Sequence, residues 1–168
     1  MVKGMSTTLV SLEEYLDAEY SPDREYVDGE ILERNLGKRP HSRVQAHFVR
    51  FLQNRNPKIY VWPEVRVRTS PTRVRVPDVC VTVEDPGTDI FEMPPFICIE
   101  ILSPGDEISP LLEKLDEYAA MGVAHSWLVD PRLRKAFTYS NRCLQEVTTG
   151  ELRAGEIFLP LAEVFDRL

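Results

Sequence analysis

Phe96-Ile-Cys-Ile-Glu-Ile-Leu102 is an apolar run interrupted by a single carboxylate. A run without polar alternation marks a strand covered on both faces. Glu100 falls on the same face as Phe96, Cys98 and Leu102, where an ionised carboxylate costs several kcal/mol unless a cation, donor or metal compensates it. Upstream, Val74-Arg-Val-Pro-Asp-Val-Cys-Val81 repeats the anomaly. Asp78 shares a face with Val76 and Cys80, and Pro77 just before it removes a ladder donor, which points to a bulge or a strand edge. Neighbouring strands lie about 4.8 Å apart. In the right register, Asp78 and Glu100 could therefore chelate one hard cation. Taken singly, each also reads as a strand-end carboxylate that caps a helix or pairs with an arginine.

Working outward, residues 109–122 read as a helix. Pro110 sits near its start, Leu111, Leu115 and Tyr118 share a face, and Gly122 suits the C-terminal cap. Residues 126–129 form a further apolar strand, stopped by Asp130-Pro131, and 135–139 with 143–147 read as a hairpin. On the other side, residues 59–69 alternate in polarity and turn at 70–72 into 74–83, which predicts one antiparallel pair. Residues 84–95 read as a loop and 160–168 as a short helix. Residues 41–55 form a helix with Val44, Phe48, Phe51 and Leu52 as its buried stripe; Arg43 and Arg50 lie mainly off it. Residues 25–35 hold a hairpin about Asp28-Gly29. Ser11 and Glu14 form a capping box for a helix over 11–20. A strand–helix–strand step after an antiparallel pair predicts an α/β chain, an α+β mixed sheet with helices packed on it. The length of 168 residues suits one domain over 1–168.

Three cysteines (Cys80, Cys98, Cys143) form no CxxC pair, so reduced thiols are expected rather than a disulfide framework or zinc knuckle. No apolar run approaches the roughly 20 residues of a membrane span, and no signal-peptide pattern opens the chain. A cytoplasmic protein is the expectation, with Met5 an alternative start to Met1. The net charge is −7, but it is segregated: residues 34–75 hold eleven basic residues against one acid, while both flanks are acidic. Such a segment either presents a basic face to phosphates or pairs with the flanks. No phosphate-cradling glycine loop and no nucleophile elbow is present. His47 and His125 show no ligand spacing, and Glu64 falls on the polar side of its strand.

Val-Pro-Asp-Val at 76–79 followed by Ile-Glu-Ile-Leu-Ser-Pro at 99–104 resembles the split acidic motif of the restriction-endonuclease-like (PD-(D/E)XK) nucleases. The chain is similar more closely to the Uma-two family of that superfamily. The likeness takes in Glu25-Tyr-Val-Asp-Gly-Glu30, Pro40-His41, Pro77-Asp78 and Glu100-Ile-Leu-Ser-Pro104. It continues through Lys114 with Tyr118, Gly122-Val123 and Trp127-Leu-Val-Asp-Pro131. The resemblance implies a restriction-endonuclease-like core with an added N-terminal helix and hairpin and a C-terminal hairpin. It also implies a metal-dependent endonuclease acting on nucleic acid, with DNA expected, and a homodimer. Asp78, Glu100 and the backbone carbonyl of Ile101 would hold Mg²⁺ or Mn²⁺, and Glu25 would supply a third carboxylate. The superfamily lysine two residues after the glutamate is replaced here by Leu102. Lys114, on the following helix, is the candidate substitute, to orient or deprotonate the attacking water or to stabilise the charge that grows on phosphorus. It also reads as a helix lysine extending to solvent. His41 would touch phosphate or shuttle a proton, though it also reads as a plain helix-terminal histidine and Glu25 as a hairpin-edge charge, and Arg43 and Arg50 would contact the nucleic acid. Leu102 equally suits a catalytically silent binding or oligomerisation module.

Overall fold

The computed structural model describes residues 8–35 and 37–168, so Met5 lies outside the described residues. At its centre is strand β8 (Ile97–Ile101), buried at every position. Its odd residues, Ile97, Ile99 and Ile101, join one apolar cluster and Cys98 joins the other. That two-sided burial is the physical reason for the unbroken apolar run.

Around β8, a six-stranded sheet runs in the order β11-β10-β9-β8-β6-β3. Its members are β3 (Tyr60–Pro63), β6 (Val79–Thr82), β9 (His125–Asp130), β10 (Lys135–Ser140) and β11 (Cys143–Glu146). β8 pairs β9 in parallel and β6 antiparallel, so the sheet is mixed. Helix α2 (Arg39–Arg55) packs Val44, Phe48 and Leu52 into the first cluster. Helix α3 (Ile108–Met121) packs Leu115 and Tyr118 into the second. Each fully buried side chain of this size contributes about 1.5–3 kcal/mol. Gly122 ends α3 at φ 104°, a left-handed conformation that glycine adopts without strain.

A second sheet runs β2-β1-β5-β4-β7. It comprises β1 (Glu25–Val27), β2 (Glu30–Leu32), β4 (Arg66–Ser70), β5 (Arg73–Arg75) and β7 (Ile90–Phe91). Helix α1 (Leu12–Asp17) lies against it through Tyr15 and keeps the capping box of Ser11 and Glu14. The hairpin expected about Asp28-Gly29 is β1–β2, with Asp28 at φ 51° and Gly29 at φ 99°.

The antiparallel pair expected over 59–83 is present, but it is divided between the two sheets. β3 pairs β6 in the large sheet, and β4 pairs β5 in the small one. The cause is local. Glu64 takes φ 51°, Pro63 and Pro77 have no N–H to give a ladder, and the chain swivels at 64–65 and again at 76–78. The Glu64 N–H bonds the Asp78 carbonyl at 3.3 Å across the swivel. Two further elements differ from expectation. The loop over 84–95 contains β7, and a hairpin of β12 (Glu151–Ala154) and β13 (Ile157–Pro160) precedes the terminal helix α4 (Leu161–Val164). Cys80 and Cys98 are buried free thiols and Cys143 is exposed. Among the described residues, no helix is long and apolar enough to cross a membrane.

Candidate active site

The swivel delivers Asp78 to the start of β6, an inner strand of the large sheet. β6 begins at Val79, so no backbone acceptor continues the ladder beside Ile101. The Asp78 side chain takes that place: Ile101 N–H donates to Asp78 Oδ2 at 2.7 Å. Arg34 donates to Asp78 Oδ1 at 2.9 Å, and His41 Nε2 lies 3.3 Å from the same oxygen. Gln45 fixes the backbone here by donating to the Asp78 carbonyl at 2.9 Å.

Glu100, on the α3 face of β8, accepts from Tyr118 Oη at 2.6 Å and from Lys114 Nζ at 2.9 Å. Both donors come from one face of α3, one turn apart. Lys114 Nζ also lies 2.7 Å from Glu25 Oε1. Glu25 enters from β1, accepting from the Val76 N–H and from Arg75 Nη1, each at 3.0 Å. Arg75 is shared with Glu117 on α3, at 2.9 and 2.6 Å. Two carboxylates, one from β1 and one from β8, thus meet at one ammonium, with Asp78 lining the same cavity, and all four groups are buried.

Their ionisation follows from burial and neighbours. Burial works to raise the Asp78 carboxyl, but the hydrogen bond from His41 and the charges of His41, Lys114 and Arg34 hold it below its ordinary value. Glu25 is likewise held low against burial by Lys114 and Arg75. Glu100 behaves differently. Burial, with Asp78 and Glu25 adding to it, pushes its carboxyl up to about 7 against the pull of Lys114. Lys114 is raised despite burial by Glu100, Glu25 and Asp78, so it stays protonated. His41 is raised by Asp78 in the same way, against the effect of burial.

Asp78, Glu100, Glu25, Lys114, Ile101 and His41 all line one cavity of about 330 Å³. The residues singled out in the sequence as acidic and lysine candidates are therefore brought together. His41 is buried against Asp78 rather than lying on an outer face. Arg43 and Arg50 do not line the cavity; Arg43 donates to the Asp166 carbonyl beside α4 at 3.3 Å. Much of the basic segment is paired with the acidic flanks: Arg66 with Asp23, Arg68 with Glu92, Arg73 with Asp28, Glu113 and Glu117. Sequence reasoning missed Arg34 and Arg75 as members of the site. Arg75 carried a signal, since a guanidinium between Val74 and Val76 is as anomalous on an apolar strand as Asp78.

The implied divalent cation can be tested against this donor set. Asp78 and Glu100 offer hard carboxylate oxygens in one cavity, and burial, aided by Asp78 and Glu25, raises the Glu100 carboxyl, which a bound cation would offset. Mg²⁺ commonly takes one or two carboxylates and completes its shell with water and phosphate oxygens, so the pair fits. All three carboxylates already have partners, Asp78 in Arg34, His41 and the Ile101 N–H, Glu100 in Lys114 and Tyr118, Glu25 in Lys114, Arg75 and the Val76 N–H, so a cation would share these oxygens with them. Among the described residues, no three His, Cys, Asp or Glu side chains are grouped as a ready ligand set.

The same fold occurs in a crystal structure titled a "putative nuclease belonging to DUF820" from Anabaena variabilis ATCC 29413. It is 24% identical, with a TM-score of 0.80, over 93% of this chain and 97% of that one. Comparison with curated proteins gives no match. The family model Uma2, described as "Putative restriction endonuclease", matches residues 12–164, nearly the whole length over which the carboxylates, the lysine and their supporting strands are distributed, and the chain belongs to that family.

Proposed function

We propose that this protein is a metal-dependent nuclease that hydrolyses phosphodiester bonds in nucleic acid, with DNA the expected substrate. The observation that carries this reading is the meeting of Lys114 with Asp78, Glu100 and Glu25 in one cavity. Leu102 occupies the usual lysine position, yet a lysine arrives at the carboxylates from α3. That arrival supports an active site over a silent module.

Asp78 and Glu100 would hold Mg²⁺ or Mn²⁺, with the Ile101 carbonyl as a third donor. A divalent cation bound there supplies charge neutralisation at the phosphate and a lowered pKa for its water. The chain's own groups do the rest. Lys114, kept protonated by its three carboxylate neighbours, is an electrostatic partner for charge on a phosphate oxygen rather than a base. Glu25 anchors Lys114, and Tyr118 orients Glu100. Arg34 is a second cation within reach of an entering phosphate. The basic residues of α2 and its ends outside the ion pairs, among them Arg43 and Arg50, would add affinity for the backbone that is independent of sequence.

The test is cleavage of supercoiled plasmid, linear duplex and circular single-stranded DNA with Mg²⁺ or Mn²⁺, comparing wild type with Asp78→Asn and Glu100→Gln. Cleavage is expected to fall at least 100-fold in both variants and to vanish with chelator. A wild type that cuts none of the substrates would leave the silent binding module as the better reading.

A further inference from the structure

We infer that the cavity takes one unpaired nucleotide, so that the substrate is a single-stranded polynucleotide or a single-stranded segment of a larger one. This rests on the nuclease reading above and narrows it. Three independent observations lead there.

The first is access. The carboxylates form a floor that is almost closed off, with Asp78 and Glu100 each 6% exposed. Two exposed residues lining the cavity are joined by a side-chain bridge, in which Asn35 Nδ2, just after β2, donates to Asp106 Oδ1, just before α3. Asp106 is itself fixed, since the Ser103 N–H donates to its second carboxylate oxygen at 2.6 Å and its own N–H returns to the Ser103 carbonyl at 3.1 Å. A phosphate in a duplex is tied to its stacked neighbours and its paired strand, and reaches a recessed floor only by deforming the helix. An unpaired strand has free backbone torsions and can insert one unit, as enzymes with recessed pockets require.

The second is size and lining. About 330 Å³ is near the lower end of small-ligand pockets, roughly 300–1,000 Å³, and suits a single nucleotide. Its lining includes the apolar Leu32, Leu102 and Leu111 as well as the cations Arg34 and Lys114. Apolar lining together with cations is the pairing that single-strand sites use, a platform for base or sugar next to charge for the backbone.

The third is charge at the rim. Glu33, Asp106 and Glu107 are exposed there and line the mouth. They repel any phosphate at the rim, and a duplex brings the phosphates of two strands there where an unpaired strand brings those of one.

The experiment uses the full chain with Mn²⁺ and one end-labelled 30-nucleotide sequence in four forms: single-stranded DNA, single-stranded RNA, blunt duplex DNA, and duplex with a single-stranded flap. A single strand of either sugar, and the flap, should be cut at least tenfold faster than the blunt duplex. Asn35→Ala, which removes the bridge, should lower that ratio several-fold by raising duplex cleavage. Equal rates on duplex and single strand, or a ratio unmoved by Asn35→Ala, would overturn the inference while leaving the nuclease reading in place. Cleavage of none of the four would remove the nuclease reading and the inference with it.

Discussion

Arg66 and Lys114 both join parts of the chain far apart in sequence, yet their surroundings differ in kind. Arg66 makes a closed set. Its guanidinium meets Asp23 through two nitrogens at 2.8 and 2.9 Å, reaches the Ala18 carbonyl at 3.0 Å, and lies 4.6 Å above the Tyr15 ring. One cation faces one carboxylate, and the remaining donors find carbonyls. Lys114 instead sits between two carboxylates with a third nearby, beside a cavity. One arrangement holds α1 to the small sheet. The other places Glu100, bonded by Lys114 and Tyr118, at the wall of a cavity with room for a further ligand. The difference teaches that a buried ion pair marks a site when its charges do not match one to one.

The sharpest way to break the comparison is Lys114→Met. Removing the shared cation leaves Glu25 and Glu100 buried without it, and a loss of about 3–5 kcal/mol in urea unfolding is expected. Addition of Mn²⁺ should restore part of that stability; a variant indifferent to Mn²⁺ would count against the metal reading.

Next in size is the pH response of Glu100. Its folded value of about 7 lies above the ordinary 4.5. The group's contribution to stability is therefore fully present below 4.5 and is lost as pH rises through about 7. In metal-free protein, wild type should lose on the order of 2–3 kcal/mol relative to Glu100→Gln between pH 4.5 and 8. Parallel pH–stability curves for the two proteins would refute it.

Tyr118→Phe deletes the donor to Glu100 Oε1 and should cost about 1–2 kcal/mol, since a buried acceptor loses its partner. The same variant should weaken Mn²⁺ binding, measured by titration calorimetry, because the carboxylate is less well oriented. Smallest is Arg66→Lys, which cannot reproduce the two-pronged contact to Asp23 and should cost about 1 kcal/mol with no effect on Mn²⁺ affinity. A change in Mn²⁺ affinity there would erase the distinction between the two ion-pair sets.

What the sequence discloses follows the range of the forces involved. An apolar run with one carboxylate is legible because burial on both faces leaves its mark on adjacent residues, so β8, Glu100 and the helix carrying Lys114 can be read directly. Asp78 is legible for the same reason, with Pro77 as an added signal. The division of 59–83 between two sheets is not legible in alternation, because both halves keep a period of two while Glu64 and Pro77 turn the chain between them. Arg34 is hidden more deeply. It meets Asp78 from 44 residues away, across a connection without periodic pattern. Basic residues were countable, but which of them face carboxylates depends on tertiary contacts, and five of the eleven are consumed in that way.

The bond from the Ile101 N–H to Asp78 also bears on how this protein's relatives can diverge. A carboxylate that completes a sheet where its neighbouring strand stops is retained by selection for folding, even in a lineage that has given up chemistry. Glu100 and Lys114 bond only side chains and the Val76 carbonyl, so their joint replacement by apolar residues leaves the ladder of β8 intact. Drift after loss of activity should therefore erase the glutamate–lysine pair first and the aspartate last, so that a relative keeping Asp78 alone is a fossil of the site and not a working copy.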